Sequence, residues 1–134
     1  MTYLLDVNAL IGLALTEHQF HGRVGKWMLS LDRTSNRLAT CATSELGMIR
    51  IVPQITAAPT TIKDAQAILA RIKATSPLPF TFIADDVGGD RLPRWVRQPK
   101  QTTDGHLLEL AGSHQAVLAT CDGFIPGAFL IPST

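Results

Sequence analysis

Cysteine is nearly missing from this chain: Cys41 and Cys121 are the only two in 134 residues. A disulfide framework needs more cysteines in a smaller chain. Both therefore read as reduced thiols in apolar runs at the ends of strands. Aromatic residues are scarce as well, at 6%, which argues against the stacking platform of a single-strand binder. Neither sign of charge is in excess, and a net charge of +1 excludes a general nucleic-acid coat protein while leaving room for a local grip on phosphates. No apolar run reaches the ~20 residues of a membrane span. The N-terminus has neither the basic lead nor the small-residue cleavage site of a secretory signal, so the expectation is a cytoplasmic protein with no membrane partner. With no internal repeat, low-complexity tract or linker, residues 1–134 are expected to form one domain.

What the chain does have is 46% apolar residues and a positive mean hydropathy, enough for a well-filled core. Tyr3-Leu4-Leu5 reads as a short buried strand that ends in Asp6, and a helix follows at once to about Leu15. A second helix is expected over 20–31, with Val24, Trp27, Met28 and Leu31 at helical spacing. His18 and His21 lie three apart near its start and read as a surface pair, since an HxxH pair without further ligands is a weak metal signal. Residues 37–42 predict the second strand. Thr43-Ser44 opens a helix that Pro53 is expected to end. Thr60-Thr61 caps the next helix, to about Thr75, whose stripe of Ile62, Ala65, Leu69 and Ile72 suits the core or a subunit contact. Residues 80–83 predict a third strand, 116–120 a fourth and 128–131 a short fifth. The last long helix opens at 102–104, with Thr103 as its cap. Strands alternating with helices predict an α/β fold, a three-layer α/β/α sandwich on a mostly parallel sheet.

Four acids stand at corresponding places in this pattern. Asp6 and Asp122 follow strands; Glu45 and Asp104 open helices on their apolar stripes. Each alone has a plain explanation: a helix N-cap for Asp6, a dipole-favoured acid for Glu45 and Asp104, a turn for Asp122-Gly123. Jointly they fall at one end of the sheet, because helix N-termini follow strand C-termini. Several carboxylates within ~5 Å repel by a few kcal/mol at an effective dielectric near 20, and apart from Arg50 the motifs around them hold no lysine or arginine. A hard dication such as Mg²⁺, or Mn²⁺, is the natural neutraliser, and it suits phosphodiester hydrolysis. Asp85, Asp86 and Asp90, around Gly88-Gly89, form a second acidic group that could compete as the metal site but reads as a turn, where Asp and Gly dominate. His106 is expected off the core stripe, exposed, within reach of a substrate at the mouth; His114 suits a helix C-terminus.

The one basic stretch, Arg91 to Lys100, carries Arg91, Arg94, Arg97 and Lys100 at every third residue around Trp95. As a short helix from Pro93 or an extended run it could hold RNA phosphates and stack a base; it could equally be a solvated charged face.

In order and spacing, YLLDVNAL, ATSELGMIRI, TTDGHLLELAGSH and AVLATCDGFI resemble a PIN-domain ribonuclease, specifically the VapC-type toxins of VapBC toxin–antitoxin systems. The resemblance covers nearly the whole chain. It implies a magnesium-dependent endoribonuclease acting on structured RNA, often tRNA or ribosomal RNA, with a homodimer and a cognate VapB-like antitoxin as partners. It places the catalytic acids at Asp6, Glu45, Asp104 and Asp122, with Asp6, Asp104 and Asp122 on the metal, Glu45 on the attacking water, and Asn8 and Thr120 in support. The alternative is a catalytically silent module of the same fold. A phosphotransfer receiver lacks its lysine after Lys100, and an aspartate-nucleophile phosphatase lacks its second aspartate where Asn8 stands.

Overall fold

The computed structural model describes residues 1–133. Five strands, β1 (Thr2–Leu5), β2 (Arg37–Cys41), β3 (Phe80–Ile83), β4 (Val117–Thr120) and β5 (Phe129–Leu130), form one sheet in the order β3-β2-β1-β4-β5. Every pairing is parallel. Strands buried on both faces read as continuous apolar runs, which is why their sequences show no alternation.

The pleat sorts the strand side chains into two cores. Leu4 lies opposite Ala39 and Leu118, and these three pack with Leu107, Leu110 and Ala111 of α5 (Thr102–Ser113). Leu5, Leu38 and Ala119 point the other way. They pack with buried residues of α1 (Val7–Ala14), α2 (His21–Ser30), α3 (Ala42–Ile55) and α4 (Ile62–Thr75). Four helices thus cover one face and α5 the other, which gives the expected three layers.

The chain leaves β1 towards β2 and β3 on one side, then returns to place β4 on the other side of β1. The carboxyl ends of β1 and β4 therefore flank the point where strand order reverses, the place where open α/β sheets hold ligands.

Some boundaries differ from expectation. Pro53 does not end α3, which continues to Ile55. A proline this near the terminus removes one intrahelical bond, and the Thr56 N–H closes the last turn on the Val52 carbonyl at 3.3 Å. The same helix starts at Ala42, before Thr43, with Cys41 at the cap and the Ser44 hydroxyl accepting the Cys41 N–H at 3.0 Å. Thr103 lies inside the first turn of α5 and does not cap it; a single 3₁₀ turn at Pro99–Gln101 leads into the helix. Thr61 does cap α4, in a reciprocal box with Asp64. Ala65 and Leu69 of that stripe are buried, whereas Ile62 is exposed and Ile72 half-buried. No helix among the described residues is long and apolar enough to cross a membrane.

Candidate active site

Asp6 ends β1 and caps α1, its Oδ1 accepting the Ala9 N–H at 2.8 Å. Its other oxygen, Oδ2, accepts the hydroxyl of Thr120 from the end of β4. The hydroxyl oxygen in turn accepts the Asp122 N–H at 2.9 Å. Thr120 is fully buried and thus holds both acids, one by its proton and one by its lone pair. Both the capping reading and the turn reading hold, and neither uses up the carboxylates: Asp122 Oδ1 also accepts the Phe124 N–H at 2.8 Å, and Phe124 itself is 93% exposed beside it.

Asp6 is 3% exposed and has no cationic partner among the described residues. Burial raises its pKa to about 6. The hydrogen bonds from Thr120 and Ala9 pull it down, and the charges of Asp104 and Asp122 push it up again. Asp104, half-buried in the first turn of α5, is likewise raised, by burial and then by Asp122. The structure thus brings together three acids from three elements, Asp6, Asp104 and Asp122, with Thr120 between two of them. Among the described residues no three His, Cys, Asp or Glu side chains are already disposed as a metal-ligand cluster. The donor set nevertheless fits a hard dication: it is all carboxylate oxygen, and a buried carboxylate facing two others without a cation is costly unless something neutralises it.

Glu45 is held differently. Its Oε2 accepts Lys73 Nζ of α4 at 2.5 Å and the Thr40 hydroxyl of β2 at 2.5 Å. The motif around Glu45 holds no lysine, as read from the sequence, but Lys73 reaches it from a helix 28 residues along the chain. Asn8 is exposed in the first turn of α1 and no hydrogen bond joins it to any of the four acids among the described residues.

Two of the three acids in the second group, Asp85 and Asp86, are spent on protein partners. Asp85 Oδ2 accepts the Thr43 hydroxyl at 2.5 Å and the Thr43 N–H at 3.2 Å, and its Oδ1 lies 2.5 Å from His106 Nε2. Burial opposes its charge, but the bonds from Thr43 and His106 outweigh this and hold it below the usual carboxylate range. His106 is therefore half-buried against a carboxylate, not free in solvent as expected. His114 does sit at the end of α5, and pairs with Asp86 at 2.8 Å. Of the other histidine pair, His18 Nδ1 accepts the Phe20 N–H at 3.1 Å and His21 Nδ1 donates to the Gly12 carbonyl at 2.9 Å. Cys41 and Cys121 are free and buried.

The basic stretch is neither a helix nor a polyproline run; it is a loop between 3₁₀ turns at Gly89–Arg91 and Pro99–Gln101. Arg91, Arg94, Arg97 and Lys100 are exposed. Trp95 is half-buried and packs on the core beneath α5. The loop is pinned beside Asp104: a Cβ on Gly105 would lie 2.3 Å from Val96 Cγ2 and 3.2 Å from Pro93 Cδ. Glycine alone permits this approach, and it sets the exposed cations next to the start of α5.

Thr40 and Lys73 were not singled out from sequence as site neighbours, and neither was the pairing of Asp85 with His106. The Lys73 and His106 contacts join segments 28 and 21 residues apart, which no local pattern marks.

No family model matches the chain. It is 36% identical over 123 residues to ribonuclease VapC38 of Mycobacterium tuberculosis, covering 89% of this chain and 84% of that one. Among solved structures it resembles Mycobacterium tuberculosis VapC20, described as a sarcin–ricin loop cleaving toxin, with a TM-score of 0.67 at 12% identity over 97% of this chain and 99% of that one. It also resembles VapBC2 of Rickettsia felis bound to a DNA fragment from its promoter, with a TM-score of 0.62 at 14% identity over 97% of each chain.

Proposed function

The chain belongs to the VapC ribonuclease family, and from that premise we propose that it is a toxin of a type II toxin–antitoxin system, an endoribonuclease that hydrolyses phosphodiester bonds with a divalent cation, Mg²⁺ or Mn²⁺. One observation carries the proposal. A nearly inaccessible carboxylate, Asp6, stands at the strand-order reversal with two more acids raising its pKa and no cation beside it.

Asp6, Asp104 and Asp122 would hold the ion. Bound there, it would lower the pKa of a coordinated water and offset charge on a phosphate oxygen. Thr120 fixes the rotamer of Asp6 through its hydroxyl and the backbone of Asp122 through its oxygen, the support that keeps ligands oriented. Both hydrogen bonds to Glu45 fall on Oε2, which leaves Oε1 to orient the attacking water. The exposed Arg91, Arg94, Arg97 and Lys100 would hold RNA phosphates beside Asp104, as point charges and guanidinium forks.

The substrate we propose is a structured RNA, tRNA or ribosomal RNA, cleaved in the cytoplasm. The partners would be a VapB-like antitoxin and a second copy of the chain. Incubating the purified protein with total RNA tests this. Wild type should cut in Mg²⁺ and stop in EDTA, and Asp6→Asn should lose at least about 100-fold in rate while keeping its circular dichroism, as removal of a metal ligand does. Cleavage by that variant at the wild-type rate refutes the site.

A further inference from the structure

We propose that Lys73 keeps Glu45 out of the metal set, so that this chain loads a single divalent cation on Asp6, Asp104 and Asp122 and neutralises its fourth acid with its own ammonium group. This rests on the metal reading above.

The geometry is specific. Lys73 Nζ and the Thr40 hydroxyl converge on one oxygen of Glu45, each at 2.5 Å. Lys73 is in the last turn of α4, and its side chain is 32% exposed, with Nζ 5.9 Å from the centre of the Phe82 ring. Thr40 is fully buried. By the alternation of the pleat, Thr40 shares the face of Leu38, under the four helices, whereas Thr120 shares the face of Leu118, under α5. The two hydroxyls therefore stand on opposite faces of the sheet, Thr40 holding Glu45 and Thr120 holding Asp6 at the sheet's edge.

A cation recruiting Glu45 through Oε1 would sit on the same carboxylate as an ammonium in contact and be repelled by it. Formal charge points the same way. The four acids carry −4; one dication and Lys73 supply +3 and leave a slight negative balance. A second dication would raise the total to +5 and over-charge the site. Lys73 thus neutralises Glu45 with a charge that cannot dissociate from the protein.

The test counts Mn²⁺ bound to the purified full chain without RNA, by calorimetric titration and by electron paramagnetic resonance of the free ion. Circular dichroism checks the fold of each variant. Wild type and Lys73→Arg should each bind one ion. Lys73→Met should bind two, and adding Glu45→Gln to it should return the count to one. Glu45→Gln alone should leave the dissociation constant unchanged, whereas Asp122→Asn should raise it about tenfold or more. Two ions on wild type, one ion on Lys73→Met, or Glu45→Gln weakening binding as much as Asp122→Asn each overturn the role of Lys73 and leave the metal reading standing. No ion on wild type overturns both.

Discussion

Replacing Asp6 by asparagine should make the metal-free protein more stable at neutral pH, although the side chain is buried and hydrogen-bonded. Burial raises the pKa of Asp6 to about 6, against the bonds from Thr120 and Ala9 and with the help of Asp104 and Asp122. In the unfolded chain an aspartate titrates at its ordinary value of 3.8. Between these values the folded protein binds more protons than the unfolded chain, so stability falls as pH rises from about 4 to about 6 and stays reduced above it. A shift of roughly two units is about 3 kcal/mol, at ~1.4 kcal/mol per unit. Asparagine keeps a good N-cap acceptor, and the bonds from Thr120 and Ala9 to the charged form are already contained in that shift. The stabilisation is about 3 kcal/mol, or about 11 °C in Tm for 134 residues at ~2.1 cal/mol/K of unfolding entropy each. Thermal unfolding of both proteins in EDTA across about pH 4 to 8 measures it. The gain should vanish near pH 4 and be full by about pH 7. Saturating Mg²⁺ should then stabilise wild type and not the variant. A variant less stable than wild type at neutral pH in EDTA, or a difference that does not change with pH, refutes the reasoning.

Thr120→Val should weaken Mn²⁺ binding about 10- to 100-fold, measured calorimetrically, because it releases Asp6 and leaves the Asp122 N–H without its acceptor. Gly105→Ala should lower stability to urea by about 1–3 kcal/mol, since the new Cβ meets Val96 Cγ2 at 2.3 Å and Val has no flexible end to move aside. Arg94→Ala and Arg97→Ala should each raise KM for RNA and reduce the slope of log affinity against log salt by about 1, with kcat unchanged; an unchanged salt slope removes them from the RNA contact.

The sheet was legible because parallel strands buried on both faces leave short unbroken apolar runs, and each run here is followed by a helix-forming one. That alternation alone carries Asp6, Asp104 and Asp122 to one edge, since a residue just past a strand and a residue in a helix's first turn cannot be elsewhere. Local signals failed where a neighbour took over. Pro53 was read as a stop, but it lies where only one bond is lost. Thr103 looked like a cap, but a 3₁₀ turn had already begun the helix. Periodic spacing of basic residues suggested a helix around Trp95, but the ring is held by the core and Gly105 admits the loop. The pairing of Glu45 with Lys73 had no local trace at all: it arises only when α4 packs on α3.

Diffraction from crystals soaked in Mn²⁺, collected at the manganese absorption edge, tests the proposed metal centre most directly. One anomalous peak at ~2.0–2.3 Å from carboxylate oxygens of Asp6, Asp104 or Asp122, with any of the three not in direct contact joined through a bound water, is the predicted result. A peak on the Asp85–Asp86 loop, or no peak between the ends of β1 and β4 at saturating Mn²⁺, would contradict it.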